Sequence, residues 1–328
     1  MKQAADHRPE PTPQRKAAIA NGAPKDHAGR VRIAPIKDFD LDATIFQTLE
    51  GKAARYVMRA RVGKEVVWKP EAERTIEAAY SQVRGRHALP PIDPELLRFM
   101  VEECDFDVEH ADGSFLDHLY FCFEYGVAHY PGRSALVLLL HSILGTGTNT
   151  FAMPAEKIPQ LKPLMSDFEW RQTEAFPSIL RLLYAGDLRS ELRANPRREL
   201  SSIRFHRVID NAELELSGEE LWVALNYQLI HLVDFLPVAN WSTHFNDTSF
   251  ILFRDLYDLM VVTGKLEATI GYEPGTGQAG LVDEEQDLAG WLATHIPVGL
   301  SEKMAEKSVR RFSERIGHSL DYTLTWTD

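Results

Sequence analysis

Apolar positions along this chain recur mostly at helical spacing. From Phe39 onward, Leu41, Ile45, Phe46 and Leu49 fall three and four apart and the run stops at Gly51, which predicts an amphipathic helix. Pro70 opens a second predicted helix reaching about Arg84. Asp93 then supplies an N-cap, with Pro94 at the first helical position, for a helix over 95–103. Residues 115–129 form the next amphipathic run, broken by Pro131-Gly132, and 133–144 follow as an almost wholly apolar one. Periodicity does not separate helix from buried strand in so short a stretch. Its leucine-rich composition, with Val137 alone β-branched before His141, favours helix.

Ser166-x-x-Glu169 and Ser217-x-x-Glu220 both have the form of a capping box. The first starts a helix that Pro177 is expected to interrupt and Gly186 to end; the second opens a long apolar helix, 221–236, stopped by Pro237. An amphipathic helix is predicted over 246–262, a flexible loop over 273–280, and helices over 283–294 and 301–316, the last basic on one side and closed by Gly317. Residues 56–68 alternate weakly and leave room for a strand or an extended arm. No repeat of fixed period is present. The pattern predicts an all-α protein of about nine helices: a helical domain over 37–264, then a loop and a helical C-terminal extension over 265–328. Residues 1–36, rich in Pro, Gln, Lys and Ala without a repeating apolar face, are expected to form a disordered tail.

Composition narrows the class. With 328 residues, 44% of them hydrophobic, the chain can bury a large core. Two cysteines, Cys104 and Cys122, are too few for a disulfide framework and form no Cys-x-x-Cys pair. A formal net charge of -12 works against a general grip on nucleic acid or anionic membrane. No run approaches the roughly 18 apolar residues that span a bilayer, and the first residues lack the apolar stretch of a signal peptide. A cytoplasmic protein acting on a small-molecule substrate, without nucleic-acid or membrane partners, is expected; the oligomeric state is left open.

Candidate chemistry concentrates in 114–151, where Asp117, His118 and His141 sit in or beside the most apolar run. An ionisable group there is costly without a partner or a metal. Asp117 and His118 point about 100° apart on a helix. His118 lies on the apolar stripe one turn before Cys122, itself most simply a small buried hydrophobe, and Asp117 is placed to orient a neighbour. His141 ends Leu138-Leu139-Leu140 and precedes Ser142, with the sequence GTGTN from Gly145. His231 and Asp234, three apart, share a helix face. Groups spread over three apolar helices are how metal sites are assembled in helical bundles. GTGTN lacks the Lys-Ser/Thr of a phosphate loop, and no Gly-x-Ser-x-Gly elbow supports a serine hydrolase. His110, His129, His206 and His244 read more simply as surface or structural residues.

The order of a histidine on one helix, a histidine ending a Leu-rich helix and an aspartate on a later apolar helix resembles the HD-domain superfamily. The similarity is closest to an uncharacterised HD-like branch carrying Leu-Asp-His-Leu, then an apolar-His-Ser segment and Gly-Thr. Here these are Leu116-Asp117-His118-Leu119, Leu140-His141-Ser142 and Gly145-Thr146, with a weaker match at His231-Leu232-Val233-Asp234. The resemblance implies an HD-like helical bundle in which His118, His141 and Asp234 hold a divalent metal, Fe, Mn or Zn. Ser142 stands where the superfamily has its Asp, which implies one metal rather than two. Asp117, Ser142 and Thr146 are the implied groups for orienting water or substrate. The implied activity is hydrolysis of a small phosphorylated or amide substrate. HD-like oxygenases, which add two histidines before the last Asp, are a second implication, for which His206, His231 and Asp255 or Asp258 are available. A degenerate HD-like scaffold that binds without turnover is a third.

Overall fold

Pro94 begins the first of nine α-helices among the described residues. The computed structural model describes residues 51–53, 55–56, 67–68, 88–104, 109–110, 113–145, 153–233, 246–270, 282–283, 288, 291–292 and 295–327. The expected N-terminal tail, the helices read at 41–49 and 70–84, most of that at 283–294, and the loop 273–280 lie outside these residues.

Helix α1 (Pro94–Cys104) starts as its sequence predicts, with the Asp93 carboxylate accepting from the Glu95 amide at 2.8 Å. Helix α2 (Phe115–His129) has the predicted bounds and is entered from a two-residue antiparallel ladder, Glu109–His110 on Gly113–Ser114. Helix α3 is shorter than its apolar run and spans only Leu136–Leu140. The chain leaves it through consecutive turns, Ile143 N–H to Leu140 O and Gly145 N–H to Ser142 O. Gly145, at φ 123°, then adopts a backbone that side chains disfavour. A short helix α4 (Ile158–Leu161) lies between two 3-10 turns.

Helix α5 (Asp167–Ala185) carries the predicted capping box, and Gly186 caps its end at φ 89°. Pro177 does not interrupt it. The proline lies inside a continuous helix, where it cannot donate to the carbonyl four residues back, and burial against the core holds the helix across the gap. Helices α6 (Asp187–Ala194), α7 (Gly218–Val233), α8 (Thr248–Val262) and α9 (Val298–Ile316) follow. The second capping box also forms, since Glu220 N–H donates to Ser217 Oγ and Ser217 N–H to Glu220 Oε2. Helix α9 packs on α5 and α8.

The all-α expectation needs correction, because a three-stranded antiparallel sheet accompanies the helices. Strand β1 (Leu200–His206) lies between β2 (Glu213–Ser217) and β3 (Thr323–Trp326). Ile203 and Phe205 point into the core while Arg204 faces out, and a bulge between Leu200 and Ser202 breaks the alternation. The β1–β2 hairpin turns through Asn211 at φ 58°. A separate two-residue ladder pairs Val67–Trp68 with Val282–Asp283, so the weakly alternating segment does end in a strand.

Two glycines set how closely elements approach. A Cβ on Gly126 would sit 2.4 Å from Leu138 Cδ1, so its absence lets α2 lie against α3. At Gly218 a Cβ would fall 1.8 Å from the Leu200 carbonyl oxygen, which brings the start of α7 onto β1. Asn226, fully buried in α7, donates to Trp222 O and Lys265 O and accepts from the amides of Glu267 and Ala268. That one side chain ties α7 to the segment after α8. No described helix is long and apolar enough to cross a membrane.

Candidate metal centre

His118 and His141 meet in the core. His118 comes from the apolar stripe of α2 and is 3% exposed; His141, the residue after α3, is 1% exposed. Their Nε2 atoms are 3.1 Å apart and the rings meet edge to face. On the other side of His141, Nδ1 lies 2.6 Å from the Leu138 carbonyl oxygen. A carbonyl only accepts, so Nδ1 carries the proton, and in the neutral form of the ring Nε2 then turns a lone pair toward His118. Metal-binding imidazoles are commonly fixed in this way, with the outward nitrogen donating to a backbone carbonyl.

Cys122, one turn along α2, is fully buried with its Sγ 3.9 Å from His118 Nδ1. His118, Cys122 and His141 thus form a buried group in which one ligand atom from each lies within 4.8 Å of the others, and which could hold a metal ion. A third imidazole stands beside them. The ring centre of His231, on α7, is 5.1 Å from that of His118 and 4.7 Å from that of His141. Phe176 of α5 closes one side, at 4.8 Å from His141 and 5.5 Å from His231. Gln228, one turn before His231, donates to the Phe176 carbonyl at 3.0 Å and so fixes α5 against α7.

Buried hydrogen bonds help to frame this group. Tyr227, on α7, donates to the Ser134 carbonyl at 2.7 Å just ahead of α3. Burial raises its hydroxyl pKa far above the usual tyrosine range, so it remains a donor at all ordinary pH. Tyr227 and Gly126 together place α3, and hence His141, relative to α2 and α7.

No family model, curated protein or solved structure matches this chain.

Of the residues singled out in the sequence, the structure brings His118 and His141 together. Ser142 is buried beside His141, and Asp117 precedes His118 in α2. Asp234 and Thr146 lie outside the described residues. Asp255 and Asp258 pair with arginines of α6: Arg189 and Arg193 both hold Asp255, and Arg193 reaches Asp258 at 2.7 Å. His206 is in β1, with Nδ1 3.3 Å from Asn211 O. His129 binds the Thr269 carbonyl at 2.7 Å and stacks on Tyr125, as befits a structural residue. Cys122 is the small buried residue its sequence setting suggests, but it also faces His118. The i, i+4 spacing of His118 and Cys122 was the available signal for that contact.

A thiol and two or three imidazoles form a soft, nitrogen-rich donor set. Such sets suit zinc and other later first-row ions better than magnesium or calcium, which seek oxygen.

Proposed function

We propose that this chain is a metal-dependent enzyme of the HD-like class, in which His118 and His141 hold a single divalent metal and Ser142 takes the place of the superfamily's aspartate. The observation that carries this reading is the buried pair of Nε2 atoms 3.1 Å apart, one of them on an imidazole fixed by a backbone carbonyl. At metal–nitrogen distances of about 2.0–2.1 Å, two nitrogens so spaced subtend roughly 95–100° at a shared ion. A bound divalent metal supplies hydroxide from water near neutral pH and polarises a phosphoryl or amide oxygen. The chain's own part is to hold neutral imidazoles in place, to shield them with Phe176 and the leucines of α3, and to set Ser142 beside His141. Asp117 and Thr146 are the remaining groups proposed to orient water or a small phosphorylated or amide substrate. The resemblance implies Asp234 as the third ligand. With iron, the same residues would serve oxidation of a small molecule, as in HD-like oxygenases.

One observation favours a second reading, a non-catalytic HD-like scaffold. With His141 Nδ1 donating to Leu138 O, His118 Nε2–H can donate to His141 Nε2, and His118 Nδ1 can accept from the Cys122 thiol. This chain of contacts needs no metal. Elemental analysis of protein purified without chelator or affinity-tag nickel separates the two. One equivalent of zinc, manganese or iron, lost in His118→Ala and His141→Ala, together with metal-dependent cleavage of a phosphomonoester or amide panel, is expected of the enzyme. Absence of stoichiometric metal, with unchanged stability in both variants, overturns it in favour of the scaffold.

A further inference from the structure

Cys122 follows His118 by one turn of α2, and both side chains lie on the face that packs into the core. His141 comes to them from the turn after α3, across the close approach of α2 and α3 that Gly126 permits. One ligand atom from each of these three residues lies within 4.8 Å of the other two. His231 stands beside this group but is not part of it. Two atoms bound to one zinc ion are separated by at most the sum of their bond lengths, about 4.1 Å for two nitrogens and about 4.4 Å for a nitrogen and a sulfur. The 3.1 Å between the two Nε2 atoms and the 3.9 Å between Cys122 Sγ and His118 Nδ1 both fall inside those limits. His118 turns a different nitrogen to each neighbour, so an ion takes one of the two and the third ligand closes on it. From a separation of at most 4.8 Å, that closure is a shift of roughly 1 Å, the scale of an adjustment in the Cys122 side-chain torsion.

We infer that Cys122 is the third protein ligand of the site, binding as a thiolate, so that His118, Cys122 and His141 together hold one zinc ion. This rests on the metal-binding reading above and goes beyond it in setting a thiolate where the resemblance implies Asp234, and in choosing zinc. Charge balance supports the thiolate. All three side chains are buried, at 3%, 0% and 1% exposed, and two neutral imidazoles leave both charges of a divalent ion uncompensated in the core, which is costly. On binding, the Cys122 thiol gives its proton to solvent, and the thiolate cancels one of those charges. The donor chemistry then selects the metal. A thiolate with two imidazoles suits zinc, whereas manganese and magnesium favour oxygen. Three protein ligands fill three of the four positions zinc prefers and leave one for water or substrate.

Cobalt(II) titration of the metal-free protein tests this, because cobalt reports its ligands by colour. Wild type is expected to bind one equivalent of cobalt with the near-ultraviolet sulfur-to-metal charge-transfer band of a thiolate ligand. Zinc should displace the cobalt, and excess manganese or magnesium should leave it bound. Cys122→Ser, which keeps the volume, should abolish the band and weaken zinc binding by more than about 100-fold, beyond the roughly 10–100-fold lost with a merely supporting residue. Its metal-free form should unfold in urea close to wild type. The chain has only two cysteines, so a band kept in Cys104→Ser assigns the sulfur to Cys122 even where Cys122→Ser does not fold. One equivalent of cobalt bound without the band, or wild-type zinc affinity in a folded Cys122→Ser, overturns the inference while leaving a metal site in place. Displacement of cobalt by manganese more readily than by zinc overturns the choice of metal. Wild-type protein that binds neither cobalt nor zinc overturns both this inference and the reading it rests on.

Discussion

His118 Nε2 faces His141 Nε2 at 3.1 Å, so each imidazole sets the surroundings of the other. Two ligands of one ion act as a unit, and their removal is not additive. His118→Ala and His141→Ala are each expected to weaken zinc binding by about 100-fold or more, and the double variant to lose little beyond the worse single one. Competition against a chromophoric chelator measures all three. Additive losses would mean that the two histidines do not share an ion.

Asn226 makes four hydrogen bonds within α7 and to the segment 265–268. Asn226→Ala leaves the amides of Glu267 and Ala268 without their acceptor, at a cost of about 2–4 kcal/mol in urea unfolding. Asn226→Asp keeps the acceptor but turns a carboxylate toward two carbonyls, and a similar loss is expected. Either variant at wild-type stability would show that the 265–268 segment is not held through this side chain.

Gly218 and Gly126 are both tight, but against different neighbours. Gly218→Ala drives a methyl into the backbone of Leu200, which cannot yield without parting α7 from β1. A loss of about 3 kcal/mol or more is expected. Gly126→Ala meets only the tip of the Leu138 side chain, which can change rotamer, and should cost about 1–2 kcal/mol. Chemical denaturation of the pair should reproduce this order.

His318 is 4% exposed and donates through Nε2 to the His206 carbonyl at 2.9 Å. Burial first, and the nearby Arg181 charge after it, push its pKa down to about 4. A histidine depressed in the folded state stabilises the fold fully above its unfolded pKa, near 6.5. That contribution is lost as pH falls from 6.5 through 4. The difference amounts to about 3 kcal/mol. His318→Gln keeps a donor and removes the titration, so wild type should lose stability relative to the variant between pH 6.5 and 4. Parallel stability profiles over that range would contradict this assignment.

Much of the helical frame was legible because its signals are local. Asp93-Pro94, the two Ser-x-x-Glu boxes, Gly186 and Gly317 all act where the sequence places them. Pro177 misled because proline's local penalty is outweighed when both flanks are buried. The strands were missed for a different reason. Ile203 and Phe205 alternate with polar neighbours, as do Leu214 and Leu216, but each run is short, and β3 finds its partner only in the far-off β1. The site divides in the same way. His118 and His141 stand out as polar groups in apolar runs. His231 sits at the polar edge of its helix, and only the packing of α7 on α2 brings its ring to the other two.

The position of β3 also bears on how the chain is made. The β1–β2 hairpin can form as soon as Ser217 is synthesised, but the outer edge of β1 stays open until Thr323–Trp326 emerge far downstream. Throughout that interval a nascent chain exposes an unpaired strand edge, the kind of surface on which neighbouring chains join. Translation speed and chaperone supply over the α7–α9 stretch should therefore govern the yield of folded protein more than its final stability does.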